Sequence, residues 1–236
     1  NPEGQKKAIQ NILGLCREYE LDGINLDFEN IADEDRDRLT HFAADISAAL
    51  HKENKMVSID VTAPSEMRFW SHCYDRKALS SYVDYVILMA YDEYSPSSEK
   101  AGSVASLPWV EKGIEAILAE GVPQDKLVLG MPLYMRIWSE SRNDIHAKTL
   151  RMPAAEALIL EKGIVPVWLP DAGQYYFEYT EGGIRYRVWQ ENARSVALKS
   201  ALVSRYNLAG GALWKSGVET ADVWEVLSAT LKNAVR

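Results

Sequence analysis

The stretch Asp22-Gly23-Ile24-Asn25-Leu26-Asp27-Phe28-Glu29 decides the reading of the fold. Successive side chains of a strand point to opposite faces. Ile24, Leu26 and Phe28 therefore form an apolar row, and Asn25, Asp27 and Glu29 a polar one. In a parallel barrel the apolar row packs beneath the outer helices and the polar row faces the axis. Carboxylates in such a place cost free energy unless they are paired or serve chemistry. Two readings stay open at this point: a polar network that fixes strand register, or a reaction centre.

Working outward, short apolar strands alternate with amphipathic helices. Upstream, residues 4–20 set Ala8, Ile12, Leu15 and Tyr19 on one helical face. Downstream, a helix is predicted from Glu34 to Lys52 with Leu39, Phe42, Ala43, Ile46 and Leu50 as its stripe. Strands come next at Met56–Thr62, Tyr82–Ala90 and Lys126–Leu133, with a helix over Leu107–Glu120 closed by Gly121-Val122-Pro123. The last unit reads as a helix at Asn192–Tyr206, a strand at Gly211–Trp214 and a helix at Thr220–Lys232. Between them, a helix at Ala154–Lys162 and a hairpin pairing Gln174–Tyr179 with Ile184–Trp189 around Glu181-Gly182-Gly183 break the rhythm.

Strand–helix alternation with apolar strands implies a parallel sheet covered by helices. Five strands lie outside the irregular stretch, whereas a complete (β/α)8 barrel has eight and typically takes ~250 residues. The expectation is an α/β fold of the (β/α)8 TIM-barrel type, truncated at its N-terminus to strands 4–8. Residues 1–136 would carry strands four to seven, 137–188 a small α+β insertion, and 189–236 strand eight with the final helix.

Composition narrows the function. A net charge of −8 over 236 residues argues against nucleic acid, since phosphate binding needs a basic face. No apolar run approaches the ~20 residues of a membrane helix, and Asn1-Pro2-Glu3-Gly4 carries no signal-peptide pattern. Cys16 and Cys73 read as two small buried hydrophobes. His41, His51, His72 and His146 lack ligand spacing, so neither a metal nor another cofactor is expected.

The polar row of the opening stretch resembles the signature D-x-x-D-x-D-x-E of family 18 glycoside hydrolases, which ends in the catalytic acid. Asp22, Asp27 and Glu29 match it, while Asn25 departs from the chitinase form and is similar to the spore-cortex-lytic branch. Met89-Ala90-Tyr91-Asp92 resembles the family's M-x-Y-D after strand six. Leu129-Gly130-Met131-Pro132-Leu133-Tyr134 resembles L-G-x-P-x-Y of strand seven, and Gly210-Gly211-Ala212-Leu213-Trp214 the end of strand eight. The four motifs stand in the family's order.

The resemblance implies a retaining hydrolase of glycans that contain N-acetylglucosamine, with Glu29 as acid and Asp27 and Tyr91 as its catalytic partners. Asn25, Met89, Asp92, Tyr134 and Trp214 would contact the sugar. Asp27 and Glu29 approach from one wall, their Cα atoms about 6.5–7 Å apart along a strand. An ordinary retaining enzyme needs its nucleophile across the scissile bond, so the geometry agrees with attack by the substrate's own acetamido group. The nearby Asp27 charge favours a proton on Glu29. Spore-cortex peptidoglycan is the expected substrate, with chitin oligomers or non-catalytic glycan binding as alternatives. A phosphate-binding barrel would want a richer glycine loop than Leu208-Ala209-Gly210-Gly211. The resemblance places the protein at the spore or cell envelope, or outside the cell. Open strand edges are expected to be covered by roughly 100 further upstream residues or by another copy of the chain.

Overall fold

Val57, Ile59 and Val61 are fully buried on one side of a strand whose other side carries Ser58 and Asp60. That alternation builds the first sheet. The computed structural model describes residues 2–142 and 144–231, apart from the side chain of Phe69. The chain divides into two units. One runs to Met89 and includes Ile114–Val128; the other holds Ala90–Gly113 and the residues from Leu129 onward.

In the first unit, α1 (Pro2–Glu18), β1 (Gly23–Leu26), α2 (Arg36–His51), β2 (Met56–Thr62), α3 (Arg76–Tyr82) and β3 (Tyr85–Met89) succeed one another. β1 pairs with β2 in parallel, Gly23 opposite Met56 and Asn25 opposite Ser58. β2 pairs with β3 in parallel, Asp60 opposite Ile87. Gly23 is required at its place, because a Cβ there would lie 2.2 Å from the carbonyl oxygen of Met56.

Three details differ from the sequence reading. β1 stops at Leu26, so Asp27, Phe28 and Glu29 lie just beyond the paired strand. In α1 the buried residue is Cys16, one position round from Leu15, and the helix ends before Tyr19; Leu15 and Tyr19 are exposed. Tyr82 belongs to α3, not to the strand after it: Asp75 caps the start of that helix, and its turns continue until the Val83 amide donates to the Leu79 carbonyl at 3.2 Å.

α4 (Leu107–Ala119) precedes β4 (Leu127–Pro132), which begins in the first unit and continues from Leu129 in the second. The strand order of this sheet is β1-β2-β3-β4-β10, with β10 at Gly210–Trp214. A second, antiparallel sheet contains β5 (Tyr134–Ser141), β6 (Asp144–Arg151), β7 (Val167–Leu169), β8 (Gln174–Glu181) and β9 (Ile184–Gln190), in the order β6-β5-β9-β8-β7. The expected hairpin is β8–β9, with Tyr179 opposite Tyr186. β5 and β6 escaped the sequence reading because β6, Asp144-Ile145-His146-Ala147-Lys148, has too few apolar residues to show a buried face. α5 (Met152–Lys162) ends on Gly163 in the left-handed region, α6 (Ala193–Arg205) comes after β9, and α7 (Asp222–Leu231) is the last helix. The Lys232 end expected for α7 lies outside the described residues.

A buried polar network organises the second unit. Glu191 and Lys199 are almost fully buried and pair at 2.7 Å. Gln174 donates to Glu191 at 2.6 Å and accepts from Ser103 at 2.6 Å, while Ser195 donates to the other Glu191 oxygen at 2.6 Å. Burial pushes the Glu191 carboxyl up, against the opposing pull of Lys199. Ser195 also completes a capping box with Asn192, which starts α6. Removing one member of such a pair strands a charge. Lys199→Met is expected to lower unfolding free energy by about 3–5 kcal/mol. Urea denaturation checks this, and the double variant Glu191→Gln/Lys199→Met should recover most of the loss.

Candidate active site

Glu29 stands three residues past the end of β1, and Phe28 just before it is held from two directions. Phe28 packs edge-on against Phe42 of α2, ring centroids 5.7 Å apart. The carbonyl of Phe28 accepts the buried Tyr74 hydroxyl at 2.7 Å. Asn30 then turns the chain at φ 56°, a conformation that asparagine tolerates better than most residues. Burial first, then the charges around it including Glu29 and Asp27, pushes the Tyr74 phenol up, so it stays a donor.

Asn25, Asp27 and Glu29 are all exposed, which corrects the inward burial expected of the polar row. The apolar row behaves as expected only in part: Leu26 is buried, but Phe28 is 40% exposed. The deeper polar group is on the next strand. Asn25 Nδ2 donates to Asp60 Oδ2 at 2.9 Å, and Ser58 Oγ donates to Asn25 Oδ1 at 2.7 Å. Burial, reinforced by Asp27 and Glu29, pushes the Asp60 carboxyl up to about 6 against the pull of the Asn25 hydrogen bond. Asp60 and Tyr74 do not stand out in the sequence. The alternation in Ser58-Ile59-Asp60, with a charge between apolar residues of a core strand, was the available signal. Met89, the last residue of β3, is buried.

The second unit gathers four of the other expected residues. Tyr134 Oη donates to Asp92 Oδ1 at 2.8 Å, and Tyr91 meets the Tyr134 ring edge-on at 6.3 Å. Asp92, Tyr134 and Trp214 line one cleft of ≈ 270 Å³ with Arg136, Thr149, Lys215 and Val218. Asp92 sits in the left-handed region at φ 63°. Trp214, at the end of β10, is 50% exposed, and its carbonyl accepts the Leu133 amide at 2.8 Å. Burial first and the Asp92 charge second push the Tyr134 phenol up, keeping it protonated.

Arg136 completes this group and was missed. It is buried, donates to Asp92 Oδ1 at 2.6 Å, and reaches Thr149 and the Tyr94 carbonyl at 3.3 Å each. It lies two residues after Tyr134 on β5, hence on the same face, and recognising that strand would have found it. Among the described residues no cluster of histidine, cysteine, aspartate or glutamate could hold a metal ion, and no helix is long and apolar enough to cross a membrane.

Two exposed carboxylates, Asp27 and Glu29, just past a strand of a β/α chain that carries a second small sheet point to a class of protein. The sequence profile of glycosyl hydrolases family 18 matches residues 1–218, and the chain belongs to that family. It is 28% identical over 232 residues to the uncharacterized glycosylase YvbX of Bacillus subtilis, covering 96% of this chain and 66% of that protein. It is 28% identical over 236 residues to the cortical fragment-lytic enzyme of the same organism, covering 97% and 54%. The crystal structure of a chitinase from Chromobacterium violaceum superposes with a TM-score of 0.89 at 32% identity, covering 97% of this chain and 72% of that one. The fold is thus a mixed α/β fold of the family's barrel type. The chain spans about half to two thirds of the length of the two Bacillus relatives.

The Asp92 cluster gives a test. Arg136→Met is expected to destabilise the protein by about 1.5–3 kcal/mol, the usual cost of losing hydrogen bonds to a charged group. Arg136→Lys should recover less than half, because an ammonium cannot reproduce the planar fork. Urea midpoints at constant slope measure both.

Proposed function

We propose that the protein is a retaining, substrate-assisted hydrolase of glycans containing N-acetylglucosamine. The observation that carries this reading is the pair Asp27 and Glu29, two exposed carboxylates just past β1 that both act on Asp60 and Tyr74. In the proposed reaction the acetamido oxygen attacks the anomeric carbon, and the glycosidic bond breaks as its oxygen takes the Glu29 proton. Asp27 accepts the acetamido N–H and stabilises the positive oxazolinium ion. Tyr91 donates its hydroxyl to the acetamido oxygen, and Trp214 supplies an apolar floor, with Met89, Asp92 and Tyr134 around the ring. Water then adds to the anomeric carbon while Glu29 takes back a proton, and the oxazoline ring opens. Asn25, tied to Asp60 and Ser58, completes the sugar contacts.

Spore-cortex peptidoglycan is the proposed substrate and the spore or cell envelope the proposed place of action, in keeping with the relative whose name describes a cortical fragment-lytic enzyme. The likeness to the Chromobacterium chitinase favours chitin oligomers as the second reading. The five strands of the first sheet are proposed to correspond to strands four to eight of the family barrel, with 137–188 as its insertion. The outer edges of that sheet are proposed to be covered, in the working protein, by upstream chain or by a second copy.

One experiment separates these roles. Products from cortex fragments and chitin oligomers are read by mass spectrometry, beside de-acetylated versions of each. Acetylated substrate should be cut and free-amine substrate left intact, and Glu29→Gln should lose at least ~100-fold in rate with an unchanged circular dichroism spectrum. Equal rates on both substrate forms would exclude assistance by the acetamido group. Binding without turnover in the wild type would point to a lectin.

A further inference from the structure

The register of β1 and β2 places Asp60 on the face of Asn25, within electrostatic reach of Asp27. Asn25 stands opposite Ser58 and Leu26 opposite Ile59, so Asn25 and Asp60 lie on one face of the sheet, and Asp27, just past the strand end, is near enough for its charge to act on Asp60. Partners in a parallel register share a face, and the Asn25–Asp60 hydrogen bond at 2.9 Å is the direct sign of it. Asp60 is the inner member of this row. Its Oδ2 accepts from Asn25, whereas its Oδ1 is buried and has no hydrogen-bond partner among the described residues.

We propose that Asp60 is a positioning residue whose charge, placed behind Asp27, sets the pH up to which Glu29 keeps the proton it donates. The proposal rests on the reading of Glu29 as the acid.

Asp60 is faced by carboxyls and neutral groups. From the β1 side come Asn25, Asp27 and Glu29, and from its own strand Ser58 and Thr62. From β3 comes Ile87 directly opposite, with Tyr85 and Met89 on either side along the same row. Tyr74, whose phenol is held protonated, adds no charge. No cation is paired with Asp60 among the described residues. A partly buried carboxyl with an unmatched oxygen and the Asp27 carboxylate nearby resists ionisation. Burial first, with the neighbouring carboxyls and against the pull of the Asn25 hydrogen bond, pushes it up to about 6.

Below that pH Asp60 is neutral, and Asp27 can carry the negative charge that faces the oxazolinium ion. Above it, Asp60 adds a negative charge behind the wall, and that charge raises the proton affinity of Glu29. The acid therefore keeps its proton further into the alkaline range than Asp27 alone would allow. Asn25 serves as the link, since its amide gives a hydrogen to Asp60 and takes one from Ser58, fixing the spacing of the two strands.

The test monitors side-chain carboxyl carbons by ¹³C NMR against pH, in the wild type and in Asp60→Asn. Asparagine keeps the shape and an acceptor for Asn25 while removing the charge. At ~8 Å and an effective dielectric near 40, loss of one charge should lower the Glu29 midpoint by about half to one pH unit. The alkaline limb of kcat/KM should move by the same amount. The double variant Asn25→Asp/Asp60→Asn returns a carboxyl to the row and should restore the midpoint. In the wild type, the Asp60 signal should titrate near 6 and fall in Asp27→Asn. A Glu29 midpoint unmoved in Asp60→Asn, or an Asp60 that titrates as an ordinary aspartate, overturns the proposal. Absence of hydrolysis in the wild type would instead overturn the reading of Glu29, and the NMR midpoints would still decide the role of Asp60.

Discussion

Gly23 has no side chain, and the carbonyl of Met56 occupies the space that one would need. This close approach locks β1 onto β2 in a single register, because a one-residue slip would turn every side chain of the strand to the other face. The placement of the next six residues depends on that register. Asn25 is set between Ser58 and Asp60, Leu26 goes into the core, and the backbone leaves the sheet at Asp27 with its carboxylates on the open side. Phe28 then anchors to α2 and to Tyr74, so that Glu29 projects from a fixed stem and not from a loose loop. The proposed role of Glu29 as general acid needs that fixity, since a displacement of about 1 Å can cost 100-fold in rate.

The second unit solves a related problem with other means. Asp92 is turned into the left-handed region directly after Tyr91, and its carboxylate is tied by Tyr134 and Arg136. Those two donors come from one face of β5, so the small antiparallel sheet supplies the rigid backing for a loop residue. In the same unit, the Glu191–Lys199 pair joins β8, the start of α6 and the loop around Ser103 through fully buried hydrogen bonds. A polar network of that depth gives little net stability relative to apolar packing, but it is intolerant of losing any one partner.

The candidate site residues were legible where local pattern and chemistry coincide. Alternation alone separated Asn25, Asp27 and Glu29 from Ile24 and Leu26, and the order of four motifs gave the family, as the profile match over residues 1–218 shows. The strands β2, β4 and β10 and the helices α2, α4 and α6 stand within a few residues of where apolar periodicity put them. Supporting residues were harder to see, because their role depends on contacts between segments distant in sequence. Asp60 lies 35 residues from Asn25, and Arg136 lies 44 from Asp92. The exposure of the polar row was also invisible, since alternation tells which residues share a face but not whether that face is covered. Cys16 in place of Leu15 shows the same limit on a helix, where a rotation of one position changes which side chain is buried.

The central claim is that both catalytic carboxylates act from one wall and leave the attack on the anomeric carbon to the substrate. Stereochemistry reports this most directly, because internal attack and then water addition give two inversions at that carbon. Proton NMR of a β-linked N-acetylglucosamine oligomer, recorded during the first minutes of hydrolysis, distinguishes the outcomes before mutarotation mixes them. Internal attack predicts that the new reducing end appears first as the β-anomer. Initial release of the α-anomer would mean direct attack by water and would contradict it.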